Sequence, residues 1–316
     1  MGGWAGLRYC APVFKTTVIL NRHARRLKRG AFAQRVEAAL RASLVGAHIV
    51  RSRTVGEART AIAQSQGEVV VVGGDGAINL ALDVLPDGTV LGLIPAGTAN
   101  DLARALDMSL IPEDAAQAVH RPARAIDLLV VNGRRFCTTG GIGLPAQVAK
   151  VSNRLKKVRG LSRVLGHQVY TAVAGGHILG RPGLRRTVTV AWTCALTGQP
   201  RTLTSEVYGV LVTNVGSVAG GLVLCDAQLD DGVFEICLLP ARGRLRLLEL
   251  LWSLTPEPGE APRRARAGAL PVLRARSARL ECDEATDFFG DGEILAHGQV
   301  FEIRLERRAV RVAGVG

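Results

Sequence analysis

The sequence predicts an α/β fold followed by a β-rich one: an N-terminal doubly wound, mostly parallel sheet over residues 1–124 and a C-terminal antiparallel, β-sandwich-like part over residues 125–316. Three observations carry this. Up to about Arg124, short runs of β-branched and other apolar residues alternate with segments of helical periodicity, the pattern of a parallel sheet with helices on both faces. Beyond Arg124 the chain reads as strand after strand with turn residues between, and only two segments keep a helical period. A length of 316 residues also exceeds what one core usually serves.

In the first part, Thr16–Leu20, Ala47–Arg51, Glu68–Val72 and Thr89–Ile94 are the expected strands. Ala31–Leu44 is a helix with Phe32, Val36 and Leu40 on one stripe, and Glu57–Gln66, Ile78–Leu85 and Ala99–Leu106 complete the alternation. In the second part the expected strands are Ala125–Val131, Arg135–Thr139, Thr187–Thr193, Glu206–Thr213, Val233–Leu239, Ser277–Cys282 and Val300–Leu305. Its two helices are Leu161–Leu179 and Gly243–Leu254, and Pro256–Gly268, with its prolines and three basic residues, is a loop. The final residues are free to return to the first domain. Val207–Cys225 carries no charge and is as long as a membrane span, but its glycines, Thr213 and Asn214 divide it into two short strands around a turn.

Composition narrows the function classes. An apolar fraction of 47% excludes disorder as the main state, while a net charge of +13 and a pI near 10.3 bias the surface towards anions. Aromatic residues make up 4% and do not interleave with the basic ones, so no nucleic-acid partner is expected. Cys10, Cys137, Cys194, Cys225, Cys237 and Cys282 show neither C-x-x-C spacing nor clustering with histidine, which argues against zinc and for a reducing compartment. Met1–Ala11 lacks the apolar core of a signal peptide, and a cytoplasmic location is expected.

Two strand ends open into small-residue loops. Gly73-Gly-Asp-Gly-Ala-Ile-Asn79 follows Val69–Val72, and Pro95-Ala-Gly-Thr-Ala-Asn-Asp101 follows Thr89–Ile94. Glycines let backbone N–H groups approach phosphate oxygens, a helix N-terminus favours the phosphate charge, and Asp75 can meet a hydrated Mg²⁺. Ligands of open α/β sheets bind at such strand ends. Either loop alone is weak evidence, a lone Gly-Gly-Asp-Gly being more often a tight surface turn; the pair points to a nucleotide.

This pair of motifs resembles the diacylglycerol-kinase catalytic family, specifically its bacterial lipid kinases of the YegS and DgkB type and the related sphingosine kinases. The resemblance continues in order through Thr213-Asn214, Gly220-Gly221, Asp230-Asp231-Gly232 and Asp291-Gly292-Glu293, and spans most of residues 16 to 312. It implies a fold like that of this family and of NAD kinases, with ATP as phosphate donor, Mg²⁺, and a lipid hydroxyl as acceptor. Among the nucleotide-binding residues it implies Thr54, Gly73, Gly74, Asp75, Gly76, Asn79 as a brace for its loop, Gly97, Thr98 and Asn100. It also implies that the Asp291-Gly-Glu293 turn carries the base, with Glu293 favoured and Asp291 the other candidate, and that Asp231 with main-chain carbonyls near Gln228 and Val233 holds a structural Mg²⁺. Read without the resemblance, the two acidic turns are ordinary β-turns.

Two departures stand out. Position 77 is alanine where the family turn usually has threonine, a loss of about 1 kcal/mol of nucleotide binding if the missing bond is ordinary. Asn21-Arg-His-Ala-Arg25 replaces the usual Asn-Pro-x-Ser/Ala-Gly, so Arg22, Arg25, Arg26, Lys28 and Arg29 either grip phosphates there or are simply solvated.

The expected function is therefore an ATP-dependent lipid kinase acting on diacylglycerol, a phosphatidyl alcohol or a sphingoid base. Its expected partners are that lipid and, peripherally, an anionic membrane surface; a homodimer is compatible with the sequence. Leu161–Leu179 lines the acyl-chain entrance or is a core helix. Two alternatives stay open: an NAD-kinase-like or phosphofructokinase-like enzyme with a soluble acceptor, and a non-catalytic nucleotide-responsive binding protein.

Overall fold

The computed structural model describes residues 16–21, 27, 30–97, 99–157, 173, 176, 185–218, 222–254 and 270–314. The first part opens with β1 (Thr17–Asn21), α1 (Gly30–Ser43), β2 (His48–Ser52), α2 (Val55–Ala63), β3 (Val69–Gly73), α3 (Asp75–Val84), β4 (Val90–Pro95) and the short α4 (Asp101–Ala105) and α5 (Pro112–Ala118). β3 is Val-Val-Val-Val-Gly with every residue buried, the composition of a central parallel strand covered on both faces. β1 pairs in parallel with β2 and β3, and β3 with β4. One face is packed with Val69, Val71, Leu91, Leu93 and Leu82, the other with Val36, Leu40, Val70, Val72 and Ile94. The expected stripe of α1 is thus confirmed at Val36 and Leu40.

The second part comprises β5 (Arg124–Val131), β6 (Arg134–Phe136), β7 (Thr139–Gly143), α6 (Leu144–Lys157), β8 (Arg186–Cys194), β9 (Pro200–Thr213), the small hairpin β10 (Ser217–Val218) and β11 (Leu222–Val223), β12 (Phe234–Pro240), α7 (Arg244–Leu254), β13 (Val272–Gly290) and β14 (Glu293–Ala313). Its ladders are antiparallel, and Phe136, Phe234, Phe288 and Phe301 fill its interior. Phe288 packs edge-on against Phe136 at 5.9 Å and tilted against Phe301 at 5.3 Å between ring centroids.

A single hydrogen-bonded sheet runs through both parts because β14 is shared. It pairs antiparallel with β13 and β5, and its last residues, Arg311–Ala313, pair in parallel with Val90–Gly92 of β4. Three differences from the expected elements have physical causes. β13 and β14 are far longer than the expected Ser277–Cys282 and Val300–Leu305, because the ladder between them resumes past a register shift, from Thr286 opposite Gly298 to Gly290 opposite Glu293 with Asp287 paired to His297, and because the end of β14 continues along β5 and β4. α6 was not expected: it buries Ala146 and Ala149 beside Leu144 and Val148 in the apolar cluster, a weak apolar signal. The expected strand Arg135–Thr139 is broken at Cys137-Thr138, for a reason that lies in the site. The helix Leu161–Leu179, apart from Val173 and Gly176, and the loop Pro256–Gly268 lie outside the described residues.

No helix among the described residues is long and apolar enough to cross a membrane. The uncharged run after Val207 divides as expected into the end of β9 and the β10–β11 hairpin. Because Phe288 joins the aromatic cluster directly behind the acidic turn, Phe288→Ala should lower unfolding free energy by about 3–5 kcal/mol, read as a lower denaturant midpoint.

Candidate functional site

The two glycine loops touch through their backbones. A Cβ on Gly74 would stand 2.8 Å from the Gly97 Cα, and one on Gly97 2.5 Å from the Gly74 Cα, so neither position admits a side chain. Asp75 locks them together: its Oδ2 accepts the Asn100 N–H at 3.0 Å and its Oδ1 the Asp101 N–H at 2.9 Å. Asn100 takes the left-handed conformation at φ 52° and accepts the Gly97 N–H on its Oδ1 at 3.0 Å, while the Gly73 carbonyl accepts the Ala96 N–H at 2.7 Å. Asp75 therefore acts first as a clamp between loops, and Gly97 and Asn100 are braced against each other. Gly76 is exposed in the first turn of α3, where a helix leaves its N–H groups without intrahelical acceptors.

Asp291 and Gly292 form the tip of the β13–β14 hairpin, both at positive φ (49° and 85°), as a tight two-residue turn requires. The hairpin reading and the site reading of this motif thus describe one object. Asp291 is buried, and the broken strand supplies its partners. Its Oδ1 accepts the Thr138 N–H at 2.8 Å and hydroxyl at 2.6 Å. Its Oδ2 accepts the Cys137 N–H at 2.8 Å, the Cys137 thiol at 3.4 Å and Asn79 Nδ2 at 3.3 Å. Asn79 also donates to the Arg135 carbonyl at 3.2 Å. Asn79 therefore braces the two halves of the molecule against each other, where the sequence suggested a brace within its own loop. Burial, reinforced by the Asp291 charge, pushes the Cys137 thiol well above its ordinary pKa, which keeps it a donor. Burial first, and the Asp291 charge second, raise the Asp75 carboxyl above its ordinary value against the pull of its N–H donors.

Glu293 differs from both acids. Its side chain is exposed and makes no hydrogen bond or ion pair among the described residues, and its Oε1 stands 3.8 Å from where a Gly76 Cβ would be. The structure thus gathers Gly73, Gly74, Asp75, Gly76, Asn79, Gly97, Asn100, Asp291 and Glu293 at one place. Thr98 lies outside the described residues, as do Gly220-Gly221 and the basic loop Arg22–Arg26. Thr54 caps α2, its Oγ1 accepting the Glu57 N–H at 3.1 Å, at the end of a strand separated from β3 by β1. Cys137 and Thr138 were missed as site residues. The pair Gly140-Gly141 shortly after them, which lets β7 approach Phe289 on one side and Val210 on the other, was the available signal.

The turn at 228–233 is a separate place. The Asp231 carboxylate accepts Arg274 Nη2 at 2.7 Å and the Val233 N–H at 3.2 Å, and Arg274 also binds Glu235 at 3.1 Å. Asp230 pairs with Arg124, and the Gly232 N–H donates to the buried Asp127. An arginine thus occupies the carboxylate expected to hold a structural Mg²⁺. As arranged, Gln228, Asp231 and Val233 do not fit a divalent cation. Among the described residues no three His, Cys, Asp or Glu side chains form a metal-holding group. At the glycine loops the donors fit Mg²⁺ only as an ion carried in by phosphates, which keeps most of its water and needs one or two carboxylates.

The comparisons agree with this layout. The family profile described as the diacylglycerol kinase catalytic domain matches residues 15–131, and that described as the YegS C-terminal NAD kinase beta sandwich-like domain matches residues 143–313. A curated relative from Pseudomonas fluorescens (strain Pf0-1), named "Probable lipid kinase YegS-like", is 34% identical over 188 residues. That match covers 57% of this chain and 56% of the relative, a little over half the length of each. A crystal structure of a diacylglycerol kinase from Bacillus anthracis superposes with a TM-score of 0.69 at 20% identity, covering 94% of this chain and 96% of that one. An NAD kinase from Archaeoglobus fulgidus shares the fold at a TM-score of 0.50 and 13% identity, over 95% of this chain and 93% of that one. Two matched profiles in sequence order, the second spanning more than half of the chain, establish that it belongs to the YegS-like branch of the diacylglycerol-kinase family.

Proposed function

We propose that the chain is an ATP-dependent lipid kinase, transferring the γ-phosphoryl group to the hydroxyl of a lipid such as diacylglycerol, a phosphatidyl alcohol or a sphingoid base. The reaction would take place in the cleft between residues 1–124 and 125–316. One observation carries this reading: the unpaired Glu293 carboxylate stands over Gly76 in the first turn of α3, beside the clamped loops.

Each acid has its own task. Asp75 holds the loops so that the N–H groups at the start of α3 face the phosphates, where the helix dipole favours negative charge. Asp291, with every donor it needs, fixes the hairpin and so the position of Glu293. Glu293 accepts the proton of the acceptor hydroxyl as that oxygen bonds to the γ-phosphorus and the bond to the β-phosphate oxygen breaks, releasing ADP. Mg²⁺ bound with the phosphates would neutralise their charge. The net charge of +13 supports work at the cytoplasmic face of an anionic membrane, which the protein would contact peripherally.

Incubation of purified protein with labelled ATP, Mg²⁺ and a panel of lipid and soluble alcohols tests the reading; label in a lipid is expected, and label only in a soluble acceptor or in none sinks it. Glu293→Gln should slow turnover on the order of 10²-fold or more with nucleotide affinity unchanged, measured by single-turnover kinetics and equilibrium binding. Asp75→Asn turns an amide N–H towards one of the two donors it now accepts, and should weaken ATP binding on the order of 10-fold in calorimetry.

A further inference from the structure

α7 carries an unusual first turn. Leu245 is 75% exposed, although two residues on, about 200° around the helix, Leu247 is 2% exposed in the apolar cluster beneath. Arg242, Arg244 and Arg246 flank Leu245, all exposed, and the single acid on this stretch is Glu249, in an exposed pair with Arg246. An isolated surface leucine needs no explanation. A leucine ringed by three arginines, on a helix held from below, has the composition of an interfacial anchor: guanidinium groups stay at headgroup level while the apolar side chain enters the acyl boundary.

The position of the helix matters as much. Leu247 packs in the same cluster as Phe289, which lies two residues before Asp291, together with Leu144, Tyr208 and Leu211. The exposed turn and the acidic hairpin therefore rest on one packed cluster. We propose that the first turn of α7, centred on Leu245, is the surface by which the protein docks on an anionic lipid bilayer. The occupant follows from charge complementarity, and from the acceptor being a bilayer lipid, which rests on the function proposed above.

Sedimentation with phosphatidylcholine vesicles, with and without phosphatidylglycerol, tests it without needing phosphotransfer. Wild-type protein should pellet with the phosphatidylglycerol vesicles and be released by salt. Arg242→Glu/Arg246→Glu should lower the vesicle affinity by 10-fold or more, and Leu245→Ser by several-fold. The pair Arg35→Glu/Arg201→Glu, with the same change in net charge, should keep most of it. Unchanged thermal midpoints guard against misfolding. If no lipid is phosphorylated but the α7 variants alone lose vesicle binding, the docking surface stands and the kinase reading falls. Lipid phosphorylation in detergent micelles with α7 variants that bind vesicles like wild type would overturn the docking surface. So would equal losses in both double variants, or a preference for RNA over vesicles.

Discussion

Burying an ionised carboxylate is costly unless each oxygen finds donors, and the architecture of this molecule is arranged around one such group. Asp291 sits at the tip of a hairpin from the second half, and its donors come from an interrupted strand and from Asn79 on α3 in the first half. Cys137 and Thr138 give their N–H groups to the carboxylate, which is why the strand expected over 135–139 is divided there. One side chain thereby fixes the hairpin, the break in the strand and the relation of α3 to both.

The same logic separates three neighbouring acids. Asp75 and Asp291 are each committed to backbone donors, and burial first, with Asp291's charge second, raises the carboxyl pKa of Asp75. Glu293, two residues beyond Asp291 and past the turn, has an exposed side chain that is committed to no partner among the described residues. Two acids committed to geometry make the position of the third reproducible, which the base role proposed for it requires, since a base contributes only when held within reach of the proton it takes.

Much of this was legible in the sequence. The four-valine strand, the glycine turns after strand ends and the stripe Phe32, Val36, Leu40 each express a local rule, and each became the expected element. What escaped was non-local. The extent of β13 and β14 depends on ladder partners far along the chain, Thr286 to Gly290 against Glu293 to Gly298 and the end of β14 against β5 and β4, which single-strand hydropathy does not register. The placing of Asn79 depends on a residue 212 positions away. The same blindness let Asp231 read as a cation ligand: Arg274, which occupies it, is 43 positions further along the chain.

The shared strand has a consequence for the order of assembly. The first sheet borrows its outermost parallel partner from Arg311–Ala313, so β4 keeps an unpaired edge while the intervening residues are being synthesised. Exposed edges invite pairing with other chains. The nascent protein must therefore carry a vulnerable seam until β14 emerges, and the nucleotide loops gain their full support only when that strand is delivered.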